Sequence, residues 1–172
     1  MEDAIVLFIT FTMLNFQIFI SEIADVKVML VITFFLLTVL YFFQYKKDFY
    51  KIFFVSTSAM FITYTLKYLL QVPRPETMLI LEDGYRFPSG HATMAAVTMS
   101  LVIYYSYYKV KNMYSKYSLY VTGVLWFVLV SYSRLYLGVH VLIDVIVGGI
   151  IGVLTTIIVM RIFRHLHYYK EI

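Results

Sequence analysis

Apolar residues occur in long runs along this chain, and short polar segments separate the runs. Six runs approach the length of about 20 residues that a helix needs to cross a hydrocarbon layer about 30 Å thick. The predicted spans are Ala4–Ile20, Val26–Phe43, Tyr50–Val72, Ser89–Tyr108, Tyr117–Leu137 and Val139–Phe163. The sequence therefore predicts an all-α integral membrane bundle of six transmembrane helices, which forms a single domain over residues 1–172.

The composition agrees with a membrane protein. Of the 172 residues, 62% are hydrophobic and only 14% are charged, whereas a soluble domain carries roughly 25% charged residues. A disordered chain or a secreted soluble protein is therefore excluded. The chain has no cysteine, so it has neither a disulfide framework nor thiolate chemistry.

Most positive charges lie on one predicted face of the membrane. Nine of the 14 lysines and arginines fall there. They are Lys46, Lys47, Lys51, Lys109, Lys111, Lys116, Arg161, Arg164 and Lys170. Because cytoplasmic loops carry the excess of lysine and arginine, we expect this face and both termini to be cytoplasmic. The net charge of +4 thus reflects topology, and no nucleic-acid partner is expected.

Ionisable residues also gather at the opposite, outward ends of the last four predicted spans. A charged side chain at mid-bilayer costs about 2.5 to 3.5 kcal/mol, so such residues are functional candidates. The candidates are Lys67, Arg74-Pro75, Pro88-Ser89-Gly90-His91, Ser133-Arg134, His140 and Asp144. Each alone has a structural explanation, such as a snorkelling lysine, a helix N-cap or a satisfied polar contact. One block of four specified residues should nevertheless occur by chance in only roughly one chain in a thousand.

These blocks resemble the three signature blocks of the type 2 phosphatidic acid phosphatase and vanadium haloperoxidase superfamily. That pattern is lysine, six residues, arginine-proline; then proline-serine-glycine-histidine; then serine-arginine, five residues, histidine, three residues, aspartate. All three match here from Lys67 to Asp144 in order and at full spacing. The membrane branch consists of lipid phosphate and diphosphate phosphatases, so the resemblance implies such an enzyme. Only twelve residues, Glu76 to Phe87, separate the first two blocks. The chain therefore resembles a minimal version of the membrane branch of this family.

The residues suit phosphate binding without a metal or another cofactor. Lys67, Arg74 and Arg134 bring three positive charges to a phosphate that carries about −1.5 to −2. Ser89 and Gly90 lie at a predicted helix N-terminus, where free N–H groups and the helix dipole favour an anion. We therefore expect no metal ligands and activity without Mg²⁺.

The nucleophile is predicted to be a histidine, because cysteine is absent and a serine would need an adjacent base. The resemblance assigns this role to His140 and implies a phosphohistidine intermediate. Asp144 follows one helical turn later, where it can hold the Nδ1 proton and leave Nε2 free to attack. His91 is then the general acid for the leaving group and afterwards the base that activates water.

The predicted partner is a membrane lipid phosphate at the extracytoplasmic side of the cell (inner) membrane. The resemblance offers undecaprenyl diphosphate, phosphatidylglycerol phosphate, lipid A 1-phosphate and phosphatidic acid. Glu82, Asp83 and Arg86 either tune headgroup choice or form a solvated loop. The rival interpretations are a non-catalytic lipid-phosphate-binding or transport protein and a vanadate-dependent haloperoxidase, although relatives of the latter are soluble.

Small residues on two predicted helices suggest close packing. Gly148 and Gly152 lie four residues apart on the sixth span, and Ala92, Ala95, Ala96 and Ser100 form a similar stripe on the fourth. We expect these stripes to let the helices approach so that the catalytic ends meet. Dimerisation through the glycines is the less favoured alternative, and we expect a monomer.

Overall fold

The computed structural model describes residues 2–25, 28–29, 32–33 and 45–168. This part of the chain contains five helices and no strand, which confirms the all-α class there. The helices are α1 (Glu2–Ile23), α2 (Lys46–Leu70), α3 (Gly90–Lys109), α4 (Met113–Tyr136) and α5 (Leu142–Tyr168). The second predicted span, Val26–Phe43, lies largely outside the described residues.

Four of these helices are long and apolar enough to cross a membrane. The spanning stretches are Ile5–Ile23, Lys46–Leu70, Met113–Tyr136 and Leu142–Leu166. They correspond to the first, third, fifth and sixth predicted spans, and the chain is a multi-pass membrane protein. α3 matches the fourth predicted span within a residue or two, although it is not among these four spanning helices. Many large apolar side chains point outwards, including Leu7, Phe61 and Leu69, as a lipid-facing surface requires.

α3 lies at the centre of the bundle. It packs against α2, α4 and α5, while α1 packs on α4. The close approach of α3 to α5 depends on glycine: a Cβ at Gly148 would lie 2.5 Å from the Ser89 carbonyl oxygen, and one at Gly152 would lie 2.5 Å from that of Thr93. Both distances are too short for any side chain. The predicted packing role of the two glycines is therefore confirmed.

The two ends of the bundle differ in chemistry. At one end, Asp48 of α2 pairs with Lys109 at 2.6 Å and with Lys51 at 3.3 Å. At the same end, Arg164 of α5 donates a hydrogen bond to the Tyr108 hydroxyl at 2.6 Å. The predicted site residues occupy the ends of the helices away from these contacts. The lysine-rich end and the site thus lie at opposite ends of the bundle.

Candidate active site

The three sequence blocks meet around one polar cavity of about 520 Å³ at the end of the bundle. Among the residues that line it are Lys67, Arg74, Gly90, His91 and His140. The other predicted site residues, Ser89, Arg134 and Asp144, are almost fully buried. A larger groove of about 650 Å³ between α4 and α5 has no charged residue in its lining. The polar cavity is therefore the candidate active site.

Lys67 and Arg74 hold the connection between α2 and α3 over the cavity. The Lys67 ammonium donates to the Tyr85 carbonyl oxygen at 2.6 Å. The Arg74 guanidinium donates from Nε to the Gly84 carbonyl oxygen at 3.1 Å and from Nη1 to that of Val139 at 3.0 Å. Burial lowers the pKa of Arg74, while the nearby carboxylates of aspartates act in the opposite direction. The block around Lys67 is thereby joined to the block around His140.

The second block forms the N-terminus of α3 as predicted. Ser89 is the N-cap, and its Oγ accepts a hydrogen bond from the Ala92 N–H at 3.4 Å. The Ser89 N–H donates to the Asp144 carbonyl oxygen at 3.0 Å, which ties the start of α3 to the start of α5. Gly90 and His91 follow on the cavity side. His91 is buried, and its Nε2 lies 3.9 Å from Oδ2 of Asp25.

His140 and Asp144 form the predicted contact, with His140 Nδ1 3.4 Å from Asp144 Oδ2. The prediction that one helix carries both residues is wrong, because α5 begins only at Leu142. The chain turns at Gly138, which has φ +69°. Asp144 Oδ2 accepts the Val141 N–H at 2.9 Å. The aspartate thus caps its own helix while it faces the imidazole.

The protonation state of His140 follows from its surroundings. Burial lowers the pKa of His140 to about 4, the hydrogen bond to Asp144 acts against this, and the charges of Arg134, Arg74 and Lys67 lower it further. The ring is therefore neutral at pH 7. If the Nδ1 proton faces Asp144, the Nε2 lone pair is free for the cavity.

Arg134, at the end of α4, is 1% exposed and joins the site to two other segments. Its Nη1 donates a hydrogen bond to the Ser21 hydroxyl of α1, and its Nη2 forms an ion pair with Glu82. The other oxygen of the Glu82 carboxylate accepts from Arg74 Nη2 at 3.2 Å. One carboxylate is thus held between two guanidinium groups.

The sequence alone does not indicate Ser21 and Asp25 as residues near the site, and it leaves Glu82 and Arg86 open between headgroup choice and a solvated loop. The solvated-loop interpretation is wrong for Glu82 and Arg86, since Glu82 pairs with two arginines and Arg86 contacts both oxygens of Asp144. Charge balance was the available signal, because buried charges need partners. Three cations and one aspartate in the signature blocks leave an excess of positive charge. In the described part of the chain, no three histidine, aspartate or glutamate side chains are grouped to hold a metal ion.

A family model of the PAP2 superfamily matches residues 48–168. The chain belongs to the PAP2 superfamily. This is the family that the three blocks resemble, and the match includes every predicted site residue from Lys67 to Asp144.

Two curated proteins are similar to this chain in sequence. The chain is 36% identical over 95 residues to phosphatidylglycerophosphatase B of Bacillus subtilis, an alignment that covers 52% of this chain and 45% of that protein. It is 38% identical over 88 residues to undecaprenyl-diphosphatase of Sulfolobus acidocaldarius, covering 49% of this chain and 33% of that protein. The chain therefore aligns with less than half the length of each of these relatives.

Two crystal structures share the fold. The PAP2-type phosphatidylglycerolphosphate phosphatase from Bacillus subtilis superposes with a TM-score of 0.78 at 23% identity, covering 89% of this chain and 77% of that one. LpxE of Aquifex aeolicus superposes with a TM-score of 0.68 at 24% identity, covering 87% and 86%. The bundle is therefore the fold of PAP2 membrane proteins.

Proposed function

We propose that this chain is an integral-membrane lipid phosphatase that hydrolyses a phosphomonoester or diphosphate group of a lipid. One observation carries the proposal: residues from three distant stretches converge on a single cavity. They bring together the cations Lys67 and Arg74, the N-terminus of α3 and the imidazole of His140. Cations and N–H donors around the oxygens, with an in-line nucleophile, are what phosphoryl transfer requires of a protein.

The Glu82 carboxylate supports the assignment of an anion site. Each of its oxygens faces a different guanidinium, Arg74 on one side and Arg134 on the other. Arginine pairs with carboxylate and phosphate through the same planar fork of donors. The carboxylate thus stands in for two oxygens of a phosphate group. Glu82 and the His140 imidazole line the same cavity.

The proposed reaction has two steps. In the first, the Nε2 lone pair of His140 forms a bond to phosphorus, the bond from phosphorus to the leaving oxygen breaks, and His91 gives that oxygen its proton. In the second, His91 takes a proton from water, the hydroxide attacks phosphorus, and the N–P bond breaks to release phosphate. Asp144 holds the Nδ1 proton throughout, and Lys67, Arg74 and Arg134 compensate the charge of the oxygens. No step needs a metal ion.

The substrate class follows from the membrane setting and the relatives. The candidates are phosphatidylglycerol phosphate, undecaprenyl diphosphate, lipid A 1-phosphate and phosphatidic acid. The lysine-rich end of the bundle lies opposite the cavity, and an excess of lysine and arginine is typical of cytoplasmic loops. We therefore propose that the site opens at the extracytoplasmic side of the cell membrane, in a single domain of six spans with both termini in the cytoplasm.

The decisive experiment measures phosphate release from a panel of these lipids in detergent micelles that contain EDTA. Wild type should release phosphate, and His140→Ala should lower kcat about a thousandfold or more, since the nucleophile is lost. His165→Ala is the matched control, because it removes an exposed histidine near the other end of α5 and should leave kcat unchanged.

A trapping experiment tests the intermediate. Brief reaction with a lipid labelled in its terminal phosphate, followed by alkaline quenching, should leave label on wild type and none on His140→Ala. Full turnover by His140→Ala would show that His140 is not the nucleophile. Tight lipid binding by wild type with no phosphate release from any lipid would contradict the phosphatase assignment and support a non-catalytic lipid-phosphate-binding protein.

A further inference from the structure

Arg86 lies two residues before the Pro88-Ser89-Gly90-His91 block, outside every signature position. Its Nη1 donates to Oδ1 of Asp144 at 2.6 Å and to Oδ2 at 2.7 Å. Its Nε donates to the Pro73 carbonyl oxygen at 3.0 Å, and its backbone N–H donates to that of Val72 at 3.0 Å. The side chain is thus held in place on the start of α5.

Arg86 is the charged partner of a carboxylate that has no contact with water. The Asp144 side chain is 0% exposed, and that of Arg86 is 21% exposed. A buried charge without a partner is strongly unfavourable, so an uncompensated Asp144 would take up a proton or draw one onto a neighbour. The neighbour in contact is the His140 imidazole, 3.4 Å away.

Arg86 does not line the cavity, and neither does Asp144. The Arg86 guanidinium contacts Asp144, which in turn contacts His140, while the Arg86 Nε bond to the Pro73 carbonyl oxygen holds the segment before Arg74. Two effects follow from the geometry. The guanidinium fixes the carboxylate so that Oδ2 faces Nδ1, and its charge offsets the negative charge that would otherwise favour an imidazolium.

We propose that Arg86 is a positioning residue that clamps Asp144 and thereby keeps the His140 imidazole oriented and neutral. The active unit behind the nucleophile is then Arg86, Asp144 and His140 rather than an aspartate–histidine pair alone. The role in turnover rests on the proposed function, whereas the effect on His140 protonation does not.

Other charged groups around the unit are unchanged by substitution of Arg86. Lys67 faces it from α2 and Arg134 from α4, and the connection between α2 and α3 contributes Arg74, Glu82 and Asp83. His91 of α3 and Asp25, directly after α1, line the same cavity. Their combined electrostatic effect on His140 is therefore the same in wild type and in the variants. A difference between variants at residue 86 therefore reports the loss of this one charge.

The sign of the expected pH effect follows directly. The pKa of His140 is about 4 in the wild type, so the ring is a competent nucleophile above that pH and is protonated below it. Without the Arg86 charge, Asp144 stabilises the imidazolium and the pKa of His140 rises. The variant should then lose neutral imidazole at mildly acidic pH, where wild type retains it.

The experiment follows the titration of His140 by NMR of ¹⁵N-histidine-labelled protein in detergent micelles, with His140→Gln to assign its signal. Arg86→Met and Arg86→Gln should titrate higher than wild type by about one pH unit or more, and Arg86→Lys should lie between. Arg161→Met is the matched control: it removes an exposed arginine about 25 Å along α5, and His140 should titrate as in wild type.

Kinetics provide a second readout. With a lipid that wild type hydrolyses, Arg86→Gln should lower kcat about ten- to a hundredfold, more at pH 5 than at pH 8, with KM within about twofold because the phosphate contacts are intact. Size-exclusion chromatography establishes that each variant is folded. Should Arg86→Met aggregate, the comparison of Arg86→Gln with wild type decides the test.

The outcomes separate the two hypotheses. A His140 titration in Arg86→Gln that coincides with wild type overturns the inference, whatever the enzyme does. The expected shift together with no phosphate release by wild type would support the clamp while the phosphatase assignment fails. The expected shift together with the kcat loss supports both.

Discussion

The Asp144 and Glu82 carboxylates of the site are each held by arginines. Asp144 is held by Arg86, and Glu82 is held by Arg74 and Arg134. Since isolated buried charges are strongly unfavourable, the pairs allow a dense cluster of cations and carboxylates to remain ionised at the membrane boundary. The site is therefore charged before substrate arrives, and binding exchanges one anion for another.

Glu82 should compete with the phosphate group for the two arginines. Glu82→Gln keeps the shape of the side chain but removes its charge, so less of the site is blocked before substrate binds. We expect inorganic phosphate to inhibit more tightly and KM for the lipid to fall, each by up to about tenfold, because apparent affinity scales with the unblocked fraction. Inhibition constants measured at fixed ionic strength check this.

Glu76→Gln is the matched control for Glu82→Gln. It makes the same change at an exposed side chain of the same connection, outside the cavity lining, and should change the phosphate inhibition constant by less than about twofold, since exposed charges are screened by salt. Weaker phosphate inhibition in Glu82→Gln than in wild type would show that Glu82 orients the arginines rather than competes for them.

The sequence predicted the signature residues but not their partners. His140 and Asp144 are readable because their spacing is local, whereas Ser21 and Arg134 are 113 residues apart and meet only in the folded bundle. Glu82 and Arg86 sit in a short polar connection that could equally have been solvated. Which loop charge meets which buried charge is set by tertiary packing.

At the scale of helices, hydropathy predicted the five helices of the described residues but misplaced several ends. α4 begins at Met113, ahead of the predicted Tyr117, because the Asn112 side chain caps it by accepting from the Ser115 N–H at 3.0 Å. α2 begins at Lys46 rather than Tyr50, without a side-chain hydrogen bond from its N-cap residue Tyr45. Polar residues thus extend both helices beyond their apolar parts, so hydropathy alone does not decide where a helix begins.

The crossing of α3 and α5 sets the distance between the second and third blocks. Gly152→Ala would bring a Cβ within 2.5 Å of the Thr93 carbonyl oxygen and 2.8 Å of the Ala96 Cβ. Neither can move without shifting α3, so we expect a loss of about 1 to 3 kcal/mol of stability and a lower kcat. The apparent Tm in detergent and phosphate release are the measurements.

Gly123→Ala serves as the control for this substitution. A Cβ there would meet Met99 atoms at 3.5 and 3.6 Å, which is ordinary contact. It should leave both the apparent Tm and kcat close to wild type. An equal loss in the two variants would mean that glycine itself, rather than the α3–α5 approach, sets the stability of these helices.

At the scale of the whole molecule, the helices alternate in direction so that all catalytic stretches share one end. α2 and α4 run towards the site and α3 and α5 run away from it, as the contacts of Asp48 and Arg164 at the other end require. The sequence predicted this separation because lysine clusters and signature blocks alternate along the chain. It could not predict that α1, through Ser21, and the segment directly after it, through Asp25, also join the site.

The proposed orientation can be tested on a chain that has no native cysteine. Glu76→Cys places a thiol at an exposed position of the connection over the site, and Lys111→Cys places one at an exposed position of the opposite end. A membrane-impermeant maleimide should label Glu76→Cys from outside in intact cells, and Lys111→Cys only after permeabilisation. The unsubstituted chain gives the background, because it offers the reagent no thiol. The reverse pattern would place the cavity on the cytoplasmic side and restrict the substrates to lipid phosphates of the inner leaflet, while the chemistry of the site would stand.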